Sequence, residues 1–150
     1  MKIKGMSGCD QRKLSVYKGY IGERLADEYL EKQGYEIRSY MVLVDFVVHN
    51  PQGKSPLHDW LGNKKDDFIR MNKGFDKVYS GKEHRRRALD FIAKKDGKFF
   101  AVEVKTNRAI LGQNQKKELE LSKKFGFIPI IVKTKVTLIA NLDDVELSRF

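Results

Sequence analysis

The chain has 150 residues, one cysteine (Cys9) and a formal net charge of +10 from 30 basic and 20 acidic side chains. That length fits one domain with its own core. A lone cysteine excludes an intrachain disulfide, and no apolar run approaches the ~18 residues of a helical membrane span. The N-terminal lysines have no apolar segment behind them, so the expected location is cytoplasmic, and the cationic excess favours a polyanionic partner, nucleic acid first.

Residues 1–16 read as a polar lead-in. From Gly19 to Gln33 the pattern turns helical, with Ile21, Leu25, Ala26, Tyr29 and Leu30 on one face and Gly34 as its stop. Glu23 falls at the edge of that apolar arc, and Gly22 beside it permits close approach to whatever the helix packs on. Met41 to Val48, rich in valine, reads as a strand. Residues 49–86 are broken by Pro51, Gly53, Pro56 and Gly62 and read as a specialising insertion at about 49–86 of a single domain, with a short helix over Lys64 to Asn72.

A hairpin follows, Arg87–Lys94 and Lys98–Thr106, joined at Asp96-Gly97. A two-residue loop there pairs Lys95 with Lys98 and sets Asp90 opposite Glu103, with Cβ atoms roughly 4.5–5.5 Å apart. Lys105, two residues beyond Glu103, shares its sheet face. A turn over Asn107–Gly112 leads to a helix from about Gln113 to Phe125, stopped by Gly126. Phe127–Lys133 and Val136–Ala140 read as further strands. The order predicts an α/β fold, a mixed β-sheet flanked by helices, with Phe99–Lys133 as a right-handed parallel crossover.

Two opposed acids repel unless a cation sits between them. Hard divalent ions such as Mg²⁺ take oxygen ligands and retain several waters. Asp90 and Glu103 therefore predict a Mg²⁺ site (Mn²⁺ being a possible substitute) where a water is activated and a phosphoryl group polarised, with Lys105 stabilising charge. The triplet Glu103-Val104-Lys105 alone carries little information, since Asp96-Gly97-Lys98 matches it and is a turn. The strand context and the acid across the hairpin raise the signal. Arg85, Arg86 and Arg87, which run into the Asp90 strand, and Lys116 and Lys117 on the following helix are candidate DNA phosphate contacts. His49, His58 and His84 are scattered without metal-ligand spacing.

The arrangement of Asp90, Glu103 and Lys105, followed by a helix and a further strand, resembles the PD-(D/E)xK nuclease superfamily, with Leu89 standing where the pattern has proline. Gly19-Tyr20-Ile21-Gly22-Glu23-Arg24-Leu25-Ala26 resembles the first helix of archaeal Holliday-junction resolvases, and Glu103 to Val132 resembles VRR-type nuclease domains. The resemblance implies a restriction-endonuclease-like sheet and a metal-dependent DNA endonuclease acting on branched DNA. It also implies that Glu23 is a third active-site acid, that Gln115 touches a phosphate or the attacking water, and that the protein works as a homodimer or higher homo-oligomer. The alternatives are a non-catalytic nucleic-acid-binding module on the same fold, or a nuclease subunit of a larger repair, viral or mobile-element complex.

Overall fold

A computed structural model describes residues 8–79 and 89–137. Helix α1 (Gly8–Lys32) is followed by strand β1 (Glu36–Ser39), a single helical turn α2 (Tyr40–Leu43) and a π-helical turn over Val44–Val48. Helices α3 (Pro56–Leu61) and α4 (Lys65–Val78) come next, then β2 (Phe91–Lys95), β3 (Lys98–Thr106), α5 (Gln113–Lys124) and β4 (Phe127–Thr134). The sheet order is β1-β2-β3-β4. The first two pairings are antiparallel and β3 with β4 is parallel through α5. This is the expected α/β architecture, a mixed sheet flanked by helices.

Each sheet face has its own core. Ile92, Phe99 and Ala101 point toward α2–α5 and pack with Tyr40, Leu43, Leu61, Phe68, Met71, Phe75 and Leu119. Ala93, Val102 and Val104 point the other way, onto Ala26 and Leu30 of α1. Residues 56–78 of the 49–86 stretch are thus helical and supply one wall of the larger core. Its helix α3 is capped by Ser55 and His58, with Pro56 in the first turn. In α4, Phe68, Met71, Asn72 and Phe75 form the buried stripe at helical spacing. That helix is longer than the Lys64–Asn72 segment predicted.

Helix α1 departs from its expectation in two ways. It begins at Gly8, inside the predicted lead-in. Its buried stripe is also narrower than the arc read from sequence: Ala26 and Leu30 are buried, whereas Ile21, Leu25 and Tyr29 are 39–58% exposed. Gly22 completes the stripe. A Cβ there would lie 2.6 Å from Thr134 Oγ1 and closer still to Thr106 Oγ1, so only glycine lets α1 approach the β3–β4 ends this closely. Past the helix, Gly34 has φ +91° and the Tyr35 N–H reaches back to Leu30 O.

Met41–Val48 is helical and not a strand. The buried positions are Tyr40, Leu43, Val44 and Val47, the i, i+3, i+4, i+7 template of a helix. Apart from Asp45, the other residues of the run are apolar too, which hides that period. Ser39 starts the turn by accepting from Val42 N, and the His49 N–H reaches back five residues to Val44 O, the π register. The strand lies just upstream, at β1. Residues 136 and 137 are not in a strand, and 138–140 lie outside the described residues. No described helix is long and apolar enough to cross a membrane.

Candidate functional site

The hairpin forms in the predicted register, from Lys95↔Lys98 to Phe91↔Val102. Asp96 and Gly97 both have positive φ (52° and 73°), as a tight hairpin turn with the favoured twist requires. The ladder stops there, one pair short of Asp90 and Glu103. The Asp90 N–H donates to Val102 O at 3.2 Å, so Asp90 and Phe91 both face Val102, the geometry of a β-bulge. The predicted direct cross-strand pairing of Asp90 with Glu103 is therefore corrected to a kinked approach.

The kink has a side-chain cause. Asp90 Oδ2 accepts from the Val104 N–H at 2.7 Å, taking the donor that a continued ladder would pass to the Leu89 carbonyl. The Asp90 carbonyl in turn accepts from Tyr40 N at 3.1 Å, at the start of α2. Backbone N–H, backbone C=O and one carboxylate oxygen of Asp90 are all held by neighbours. Its carboxyl still lies within hydrogen-bonding reach of Glu103, so the two acids converge.

Glu103 is buried and accepts from two groups. Lys105 Nζ lies 3.5 Å from Oε1, and Gln115 Nε2 donates to the same oxygen at 3.0 Å. Gln115 is held at its other end, since its Oε1 accepts from the Gly112 N–H at 2.9 Å. That N–H can only donate, so the amide oxygen must face it and the amide nitrogen must face Glu103. Helix α5 thus begins with a glutamine whose orientation is fixed. Gln113, two residues earlier on the same helix, is exposed.

A further acid went unnoticed in the sequence. Glu118 is fully buried on α5, one turn beyond Gln115 and beside Leu119 and Ser122 on the sheet-facing stripe. The available signal was its i+3 spacing from Gln115, one turn along the same side of the helix and next to Leu119. Burial raises the Glu103 pKa to about 7 from its usual value near 4.5; Lys105 pulls it down, and the negative charge of Glu118 pushes it up.

Glu23 is half-buried on α1 and borders a cleft shared with Lys105, Val104 and Thr106 at the end of β3. Asp90, Glu103, Lys105 and Gln115 form the cluster, and Glu23 stands at the cleft that Lys105 borders. Lys116 and Lys117 are exposed on α5. Arg85, Arg86 and Arg87 lie outside the described residues. His58 is a helix cap, bonded through Nδ1 to Ser55 and through Nε2 to Asn50 O.

The donor set suits a hard cation. It is all oxygen, buried, and carries more carboxylates than the single lysine beside it. Among the described residues no three acid, histidine or cysteine side chains converge closely enough to cage an ion unaided. The fit is to an ion that takes two carboxylates and keeps its waters, as Mg²⁺ does.

No family model matches the chain, and no solved structure matches it. Among curated proteins, a DNA ligase of Helicobacter acinonychis (strain Sheeba) is 27% identical over 123 residues, 75% of this chain and 19% of the ligase. The chain therefore spans about a fifth of that relative's length.

Proposed function

We propose that this protein is a metal-dependent DNA endonuclease of the PD-(D/E)xK type. The observation that supports it best is the Asp90 carboxylate, locked on the Val104 N–H within hydrogen-bonding reach of Glu103, with Lys105 on Glu103. A surface ion pair needs none of this burial. The similarity to a DNA ligase and the net charge of +10 support DNA as the partner.

Asp90 and Glu103 would hold Mg²⁺ or Mn²⁺, with Glu23 approaching from α1. The bound ion would supply charge neutralisation at the phosphate and a more acidic water. The chain's own residues do the rest. Gln115 fixes the Glu103 carboxylate, and the bulge fixes Asp90. Lys105, mostly buried, presents an ammonium at the cleft edge where a scissile phosphate would acquire charge. Two copies acting together would cut both strands, and a branched duplex is the favoured substrate. The test is a nicking assay on branched and linear DNA with Mg²⁺, Mn²⁺ or EDTA. Metal-dependent cutting that Glu103→Ala and Lys105→Ala both abolish is expected. Full activity of either variant would refute the mechanism.

A further inference from the structure

A groove between α4 and α5 carries charge that the acid cluster does not use. Its walls hold Arg70, Lys73 and Lys77 from α4 and Lys117 and Lys124 from α5, against the single acid Glu120. Five cations to one acid contrasts with 30 to 20 over the whole chain. The spacing is helical on both sides: i, i+3, i+7 on α4 and i, i+7 on α5. At 1.5 Å per residue each row runs for about 10 Å, the rise of about three nucleotide steps of one DNA strand at 3.4 Å each.

The rows are brought together by close helix contact. The position of a Cβ on Gly74 lies 2.7 Å from Leu121 Cδ2, so the two helices are in contact here. Arg70 is oriented by Asp67 at 2.5 Å and by the ring of Phe125 at 5.9 Å. Like charges facing one another across two packed helices repel, and a polyanion relieves that cost. Lys116, about 100° around α5 from Lys117, does not line the groove.

We infer that the α4–α5 groove is a second, sequence-independent contact for the phosphate backbone of duplex DNA, holding the substrate beyond the cleavage site. This rests on the nuclease reading for its substrate, but binding in the absence of metal tests it separately. The helix α4 comes from the 49–86 stretch, so this part of the chain would contribute affinity while β2, β3 and α5 carry the chemistry.

The experiment compares three exposed double variants by fluorescence anisotropy on a labelled 20-base-pair duplex in EDTA, over a salt series. These are Lys73→Gln/Lys77→Gln, Lys117→Gln/Lys124→Gln, and the control Lys54→Gln/Lys98→Gln, which makes the same charge change outside the groove. At about 0.9 per phosphate contact, each groove pair should lower the slope of log K against log salt by about 2 and weaken binding roughly tenfold or more near 0.1 M salt. The control should change neither. Equal effects from groove and control pairs would overturn the proposal, as would unchanged DNA affinity in the groove variants. Selective loss of duplex RNA or polyglutamate binding, with DNA binding intact, would overturn it too. If the parent never cuts DNA yet the groove pairs lose binding, the nuclease reading fails and the groove stands.

Discussion

Replacing Glu103 by glutamine should stabilise the metal-free protein above neutral pH while removing its activity. Native Glu103 has a pKa of about 7 against about 4.5 for an ordinary glutamate. Between those values the folded chain holds a proton that the unfolded chain has released. Stability therefore falls as pH rises through that window. At 1.36 kcal/mol per unit, the full loss is roughly 3 kcal/mol by pH 8. Glutamine resembles the protonated acid in shape, is neutral at every pH, and keeps an oxygen that accepts from Gln115 Nε2. In EDTA, Glu103→Gln should match the parent at pH 5 and exceed it at pH 8 by up to roughly 3 kcal/mol, or about 6–12 °C in Tm. Urea titrations at the two pH values measure this directly. Mg²⁺ should stabilise the parent at pH 8 and leave the variant nearly unchanged. A parent whose stability is flat from pH 5 to 8, or a variant weaker than the parent at pH 8, would refute the reasoning.

Asp90→Asn keeps an oxygen for the Val104 N–H, so its fold should survive with a loss of ~1–2 kcal/mol; Mg²⁺ affinity by calorimetry and nicking rate should both fall, the rate by about a hundredfold. Gln115→Ala removes the donor on Glu103 and the acceptor of the Gly112 N–H. It should cost ~1 kcal/mol and move the midpoint of the pH–rate profile upward, because a carboxylate that loses a donor is easier to protonate. An unmoved midpoint would mean that Gln115 only caps α5. Gly22→Ala forces α1 off Thr106 and Thr134 and should destabilise by ~1–3 kcal/mol in urea, with Thr106→Ala/Thr134→Ala recovering part of the loss.

The features legible in the sequence were those set by local chemistry. Asp96-Gly97 specifies its turn through two positive φ angles, and Gly34 and Gly126 end their helices the same way. Such signals do not depend on distant contacts. Gly22, too, was readable as a site of close approach. What escaped was decided by tertiary packing. Met41–Val48 is apolar on nearly every side, so its period gave no discrimination, and burial against α4 selected the helix. Tyr40 OH donating to Asn72 Oδ1 at 2.5 Å ties that turn to a helix thirty-two residues away, a contact no local pattern encodes. Glu118 was hidden for the opposite reason: a glutamate on a lysine-rich helix reads as solvated unless the facing sheet is known.

The bulge at Asp90 shows why residue register and side-chain convergence are separate questions. In an uninterrupted ladder, Asp90 and Glu103 would form a non-hydrogen-bonded pair with similar surroundings. The kink makes them different. Asp90 gains a backbone N–H as a fixed donor, while Glu103 depends on two side chains and stands near a second buried acid. One lysine cannot balance Asp90, Glu103 and Glu118 in a site this dry, so the apo cluster meets its charge surplus by holding a proton on Glu103 up to about pH 7. A divalent cation can replace that proton, and the replacement becomes more favourable as pH rises. The same surplus therefore weakens the empty fold and draws in the ion. At limiting Mg²⁺, cleavage should climb with pH to about 7 and then level, whereas saturating Mg²⁺ should shift that midpoint downward. A midpoint that ignores Mg²⁺ concentration would separate the titration of Glu103 from metal binding and remove the link between the two.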